Sequence, residues 1–142
     1  MDDVRLAEYF YAEVPQKPGE AARILSLLKE AGVNLLAFSG FPSGRRAQVD
    51  FVPADAAAFR AAARKAKVRL VGPKKVFVIA GDDQPGAVAE IVRKVADANI
   101  NITATQAVAA GSGRFGALLW VAPRDVKRAA EVLGVPNVKS AA

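Results

Sequence analysis

Apolar and polar positions alternate with two different periods along this chain, and each change of period marks an element. The run LAEYFYAEV, residues 6–14, is rich in aromatic and apolar residues and reads as a strand ending at the turn PQKPG. In EAARILSLLKEAG the apolar residues Ala21, Ile24, Leu25, Leu28 and Ala31 recur at helical spacing, and Gly32 is placed to end the helix. NLLAFSGF and AQVDFV read as a hairpin of two strands around PSGRR. Helical spacing resumes over residues 55–66, a short fourth strand is expected at residues 68–71, and Gly72-Pro73 marks a boundary.

The same order then recurs. KVFVIAG reads as a strand, and AVAEIVRKVADAN as a helix with Val88, Ile91, Val92 and Val95 on its apolar side. INITATQAVA and RFGALLWVA form a hairpin around residues 111–113, a helix follows over residues 124–133 with Gly134 as its stop, and residues 138–140 are expected to close the unit as a short strand. The recurrence extends to residue identity: Pro85 follows Pro18, Gly86 follows Gly19 and Asn101 follows Asn34, each by 67 positions. Further on the offset reads as 69, which sets Phe51-Val52 against Trp120-Val121 and makes Phe51 and Trp120 matching anchors of the cores or of an interface.

An order of βαββαβ, met twice, predicts an α+β fold of two ferredoxin-like units. Each would be an antiparallel four-stranded sheet with two helices on one face, over residues 1–72 and 73–142. A unit of about 70 residues is marginal alone. Its uncovered edges and faces predict pairing within the chain and in a homodimer.

Composition narrows the chemistry. The 142 residues include neither cysteine nor histidine, which removes thiolate nucleophiles, imidazole bases, and metal sites built on either. No metal site, cofactor or catalytic residue is expected. No apolar run approaches the roughly 20 residues that span a bilayer, and the N-terminus does not read as a signal peptide; the expectation is a soluble, cytoplasmic protein. The formal charge of +6 is compatible with an anionic partner, but several of the cations fall on the expected polar faces of helices.

The repeated turn carries a resemblance. DQPGAVAEIVRKVADANINI, residues 83–102, resembles the signature of ACT domains, small regulatory modules that bind amino acids, and QKPGEAARILSLLKEAGVNL resembles it less completely. The resemblance implies an allosteric amino-acid site where two such domains meet, the loop after a first strand lying near the start of a second strand, often a partner's. By position it implies Asp83, Gln84 and Gly86 as first-loop residues in copy two, with Asn99, Asn101 and Ile102 at the helix-to-strand corner. In copy one the corresponding residues are Gln16, Lys17 and Gly19, with Asn34 and Leu35; Gln16 stands where the family usually has an acidic residue. The family also includes domains that only dimerise.

The residue types suit a zwitterion. Unsatisfied N–H groups at a helix start accept a carboxylate, Asp83 is placed to receive an ammonium, and Asn101 both donates and accepts. The alternatives for the same residues are a turn at Pro-Gly and a carboxylate seated near the helix dipole. Three other functions compete. A ligand-free dimerisation or adaptor module needs no side chain beyond the fold. An RNA-binding sheet would use Tyr9, Tyr11 and Phe51, but lacks the basic, glycine-rich patterns of such sheets. An independent enzyme would have to work through Asp82-Asp83, which form no acid/base pair, or through Lys17 as a Schiff-base lysine, for which the local sequence supplies no apolar surroundings. The reading adopted is a small amino-acid-binding regulator without catalysis, acting as a homodimer and on a separate regulated protein, with neither nucleic acid nor membrane as partner.

Overall fold

A computed structural model describes residues 2–136. The elements are β1 (Asp3–Pro15), α1 (Glu20–Glu30), β2 (Leu35–Ser43), β3 (Arg46–Pro53), α2 (Ala56–Lys65), β4 (Val71–Asp82), α3 (Ala87–Asp97), β5 (Ile102–Gly111), β6 (Arg114–Val121) and α4 (Val126–Leu133), with a 3-10 turn at Pro123–Asp125. The fold is α+β: β1 and β2 each pair antiparallel with β3, and β4 and β5 each pair antiparallel with β6. The helices and both hairpins fall where the periodicities put them. The closing strand expected at residues 138–140 lies outside the described residues.

The fourth strand of the first copy departs from expectation. Val68 and Leu70 are instead partly buried against the core, and β4 starts at Val71 and continues through Gly72 and Pro73 to Asp82. Proline removes a single backbone donor, and a strand survives that loss at a suitable position. Two compact units divide the chain: Glu8–Lys74, and Lys75–Ala142 together with Met1–Ala7.

In the unit Glu8–Lys74, alternate residues of the strands enter one core. Phe10, Ala12 and Val14 of β1 meet Val49 and Phe51 of β3, under Ile24 and Leu28 of α1 and Phe59 of α2. The other unit repeats this with Phe77 and Ile79 of β4, Phe115, Ala117 and Leu119 of β6, Ile91 and Val95 of α3, and Ala129 and Ala130 of α4. The register corrects one sequence match. Phe10 lies opposite Phe51, and its repeat mate Phe77 lies opposite Leu119. Leu119, not Trp120, is therefore the counterpart of Phe51, and Trp120 stands with Val52 on the opposite face. A one-residue slip in a strand moves every side chain to the other side.

All four helices end in one motif. Val33, Val68, Ile100 and Val135 donate backbone N–H to the carbonyls of Leu28, Ala63, Val95 and Ala130, at 2.9, 2.9, 3.2 and 2.9 Å. The residue before each is left-handed: Gly32, Lys67, Asn99 and Gly134, at φ 72, 59, 58 and 82°. This is the Schellman termination, with an apolar residue following the left-handed one. Lysine is the costly member of the set, since a Cβ crowds its own backbone there. Lys67→Gly should therefore raise stability by about 0.5 kcal/mol or more, checked by urea unfolding; a loss would mean that the lysine side chain itself stabilises the fold.

Asp50 of β3 is a carboxylate only 6% exposed. It lies opposite Tyr11 in β1 and Ser39 in β2, and Gln48 Nε2 donates to its Oδ1 at 2.9 Å. Burial raises its pKa, opposed by the Gln48 hydrogen bond and the Lys74 charge. Burial, and then the Asp50 charge, push Tyr9 up as well. Because the folded pKa of Asp50 exceeds the unfolded value of about 3.9, the unfolded chain loses this proton first. Stability is thus fully present below about pH 4 and falls as pH rises through the folded value. Asp50→Asn should be more stable than the parent at neutral pH by about 1 kcal/mol, with the gap closing on acidification. Denaturant unfolding across pH checks this; a gap that widens in acid contradicts it.

Candidate ligand site

Both first loops have the same backbone design. Gly19 and Gly86 precede α1 and α3 at φ 91° and 86°, and neither helix start carries a side-chain cap. A left-handed residue at this place favours glycine. A Cβ built on either glycine meets nothing within 4 Å, so the side of each loop that the glycine faces is open. Each loop is also tied to the hairpin of its own unit, by different chemistry from the equivalent residues Gln16 and Asp83. In copy one Gln16 Nε2 donates to the Arg46 carbonyl at 3.2 Å, and the Arg46 guanidinium donates to the Glu13 carbonyl at 3.1 Å. In copy two the Asp83 backbone N–H donates to the Gly113 carbonyl at 2.9 Å.

That difference bears on the exchange of Gln16 for Asp83. Gln16 uses its side chain to hold the hairpin, whereas Asp83 uses its backbone. Among the described residues the Asp83 carboxylate is exposed and makes neither hydrogen bond nor ion pair. Gln84 is exposed, and its carbonyl accepts from Ala87 N–H at 3.1 Å.

A cleft of about 330 Å³ opens at the copy-one loop, lined by Gln16, Lys17, Pro18 and Glu20 with Val14, Ala47 and Val49. Glu20 is the residue in it that the sequence reading missed. Its carboxylate lies 3.7 Å from Lys17 Nζ and 3.5 Å from the Arg23 guanidinium. Two neighbouring cations around one acid at a helix start were a visible signal. The apolar wall was also legible, since the period of two in AQVDFV sets Ala47 and Val49 on the side of Val14.

The corner residues occupy the other end of each sheet. In the first unit the loop follows Pro15, which lies opposite Arg46, and Arg46 lies opposite Ser43, the last residue of β2. Leu35 begins β2 and lies opposite Pro53. The eight steps along β2 separate loop end from corner end by about 26 Å at about 3.3 Å per residue. Asn34 is placed at the corner, where its carbonyl accepts from Ala54 N–H at 2.9 Å. In the second unit Asp82 and Gly111 both lie opposite Arg114, while Ile102 lies opposite Val121. Asp83, Gln84 and Gly86 are therefore gathered at one end of their unit, and Asn99, Asn101 and Ile102 at the other. Neither unit by itself brings loop and corner together. Asn99 also has a sufficient backbone reason to be there, as the left-handed residue that ends α3.

Among the described residues no group of three or more acidic, histidine or cysteine side chains could hold a metal ion. No helix among them is long and apolar enough to cross a membrane.

No family model matches the sequence. No significant match to a curated protein is found. Solved structures are similar at low identity. Protein BT0572 from Bacteroides thetaiotaomicron superposes with a TM-score of 0.80 at 15% identity, over 92% of this chain and 88% of that one. The ligand-free regulatory subunit of aspartate kinase from Thermus thermophilus gives 0.64 at 20% identity, over 96% and 97%. A structure of aspartokinase alpha and beta subunits gives 0.63 at 20% identity, over 93% of each chain. The likeness is one of fold, and the fold of this chain is a tandem ACT-like one.

Proposed function

We propose that the chain is a non-catalytic, amino-acid-sensing regulatory protein whose ligand binds at an interface between domains or subunits. The observation that supports this most is the pair of glycine-led helix starts, left-handed, without a side-chain cap and with open space beside the glycine in both copies. Such a start presents N–H donors and the positive end of a helix dipole to a carboxylate. In copy two the free Asp83 carboxylate supplies the partner for an ammonium. Separation of loop and corner within each unit argues that a complete site needs a second domain. A homodimer in the cytoplasm is part of the reading, and so is a separate protein that receives the signal. The neighbours described as regulatory subunits of aspartate kinase support regulation over catalysis.

The test is a thermal-melt screen of the full chain against each proteinogenic amino acid at millimolar concentration, followed by calorimetry. Stabilisation by one chemical class is expected, through linkage of binding to folding. No shift and no heat would leave the ligand-free dimerisation module as the better reading.

A further inference from the structure

The positive charge of this chain is concentrated in one stretch. From Asp55 to Lys74 six basic residues, Arg60, Arg64, Lys65, Lys67, Arg69 and Lys74, stand against the single acid Asp55, which holds +5 of the formal +6. Asp55 is already engaged, since its carboxylate caps α2 by accepting from Ala58 N–H at 3.1 Å. The helix turns Phe59 and Ala63 into the core. Arg60 and Arg64, four residues apart, then stand one above the other on the exposed face, and Lys67 follows just beyond the helix end. Beyond the helix, Val68 and Leu70 pack inward, and Lys67 and Arg69 between and beside them are exposed.

Three comparisons within the molecule set this row apart. On each of the other helices one arginine has an acidic partner: Arg23 with Glu20, Arg93 with Asp97, Arg128 with Asp125. Among the described residues, Arg64, Lys65, Lys67 and Arg69 have no ion pair. The equivalent helix of the second copy, α4, does the same packing with Arg124, Lys127 and Arg128 offset by Asp125 and Glu131, so the fold does not require the surplus. And Lys67 occupies a left-handed position, φ 59°, that the second copy gives to Gly134. Attraction to the negative end of α2 accounts for Arg64 and Lys65 in its last turn. It does not account for Arg60 in mid-helix, nor for a lysine retained where glycine is easier.

We infer that the exposed face of α2 with the segment that follows it is a docking surface for an acidic α-helix of a partner protein. Between the cations the surface is flat: Ala57, Ala58 and Ala61 are exposed, and small residues let a second helix approach closely. Carboxylates four residues apart on such a helix match the spacing of Arg60 and Arg64, and a further acid towards its end meets Lys67 beyond the end of α2. A second copy of this chain is a poor occupant, since a face with this charge repels its own copy. Single-stranded nucleic acid is also less suited, because no aromatic side chain stands in the row for bases to stack on. Arg60 is also held against the core, its guanidinium carbon 5.6 Å from the centroid of the Phe10 ring.

The experiment uses the full chain and a fluorescent alanine-based helical peptide with glutamates at intervals of four and three. Binding is read by anisotropy at low salt. Binding is expected, weakened by added salt, and weakened about tenfold or more by the triple change Arg60→Glu, Arg64→Glu and Lys67→Glu. The control pair Lys127→Glu and Arg128→Glu on α4 should leave it unchanged. Circular dichroism verifies the fold of each variant, and glutamine at the same three positions serves if the glutamates prevent folding. No binding of the peptide, or equal loss from the α2 and α4 variants, overturns the proposal. Tighter, α2-dependent binding of single-stranded oligonucleotide overturns it in favour of nucleic acid. The amino-acid screen reads a different site, so either result can fail without the other.

Discussion

Phe51→Ala should lower the free energy of unfolding by about 4 kcal/mol, the largest loss expected from a single side chain. Phe51 is 1% exposed and joins β3 to both neighbours and to a helix. Its ring centroid lies 5.4 Å from that of Phe38 on β2 and 5.3 Å from that of Phe59 on α2, and Phe59 in turn lies 5.2 Å from Phe10 on β1. Four aromatic rings thus tie three strands to α2, and truncating the central one leaves a cavity that its stiff neighbours cannot close. A unit of this size has little stability to spare, so a loss on this scale should unfold it near physiological temperature. Leu119→Ala, at the equivalent place in the other unit, should cost about 3 kcal/mol. Chemical denaturation of both variants measures the pair. A loss below about 1 kcal/mol for Phe51 would mean that the four rings are not packed as described.

The repeat made most of the fold legible, because two copies of one pattern test each other. Helical spacing in EAARILSLLKEAG and AVAEIVRKVADAN, and period two in AQVDFV, lead directly to α1, α3 and β3. What misled was local. Gly72-Pro73 reads as a stop by composition, yet β4 passes through it; only the pairing of neighbouring strands decides whether a missing donor matters. The match of Phe51 to Trp120 failed for a related reason. Ring for ring is a tempting alignment, but register is set by hydrogen bonds across strands, and one residue of slip exchanges core for the opposite face. The candidate site divides the same way. Both glycines of the first loops were legible because left-handed geometry leaves few choices. That loop and corner lie at opposite ends of a unit follows from the order strand, helix, strand, since a helix of 11 residues carries the chain back along the sheet; which second domain completes the site does not follow from it.

Asp83→Ala should weaken binding of the amino acid found by the screen by about tenfold to a hundredfold, the range for losing one charge-assisted hydrogen bond. The carboxylate has no partner among the described residues, and the loop is held instead by the Asp83 N–H bonded to the Gly113 carbonyl. Alanine keeps that bond, so the melting temperature without ligand should not move. This separation of effects makes the variant informative, because a residue that merely shaped the loop would change both. Asp83→Asn refines it: the shape and an acceptor oxygen remain while the charge goes, so binding should fall nearly as far if an ammonium is recognised. Gln16→Ala should behave in the opposite way. It frees the copy-one loop from the Arg46 carbonyl and lowers stability by about 0.5 kcal/mol or more, with a smaller effect on binding. Calorimetry and melting on the three variants read these outcomes together. Unchanged affinity in Asp83→Ala would remove that residue from the site and shift the ammonium partner to the copy-one cleft, where Glu20 is the acid within it.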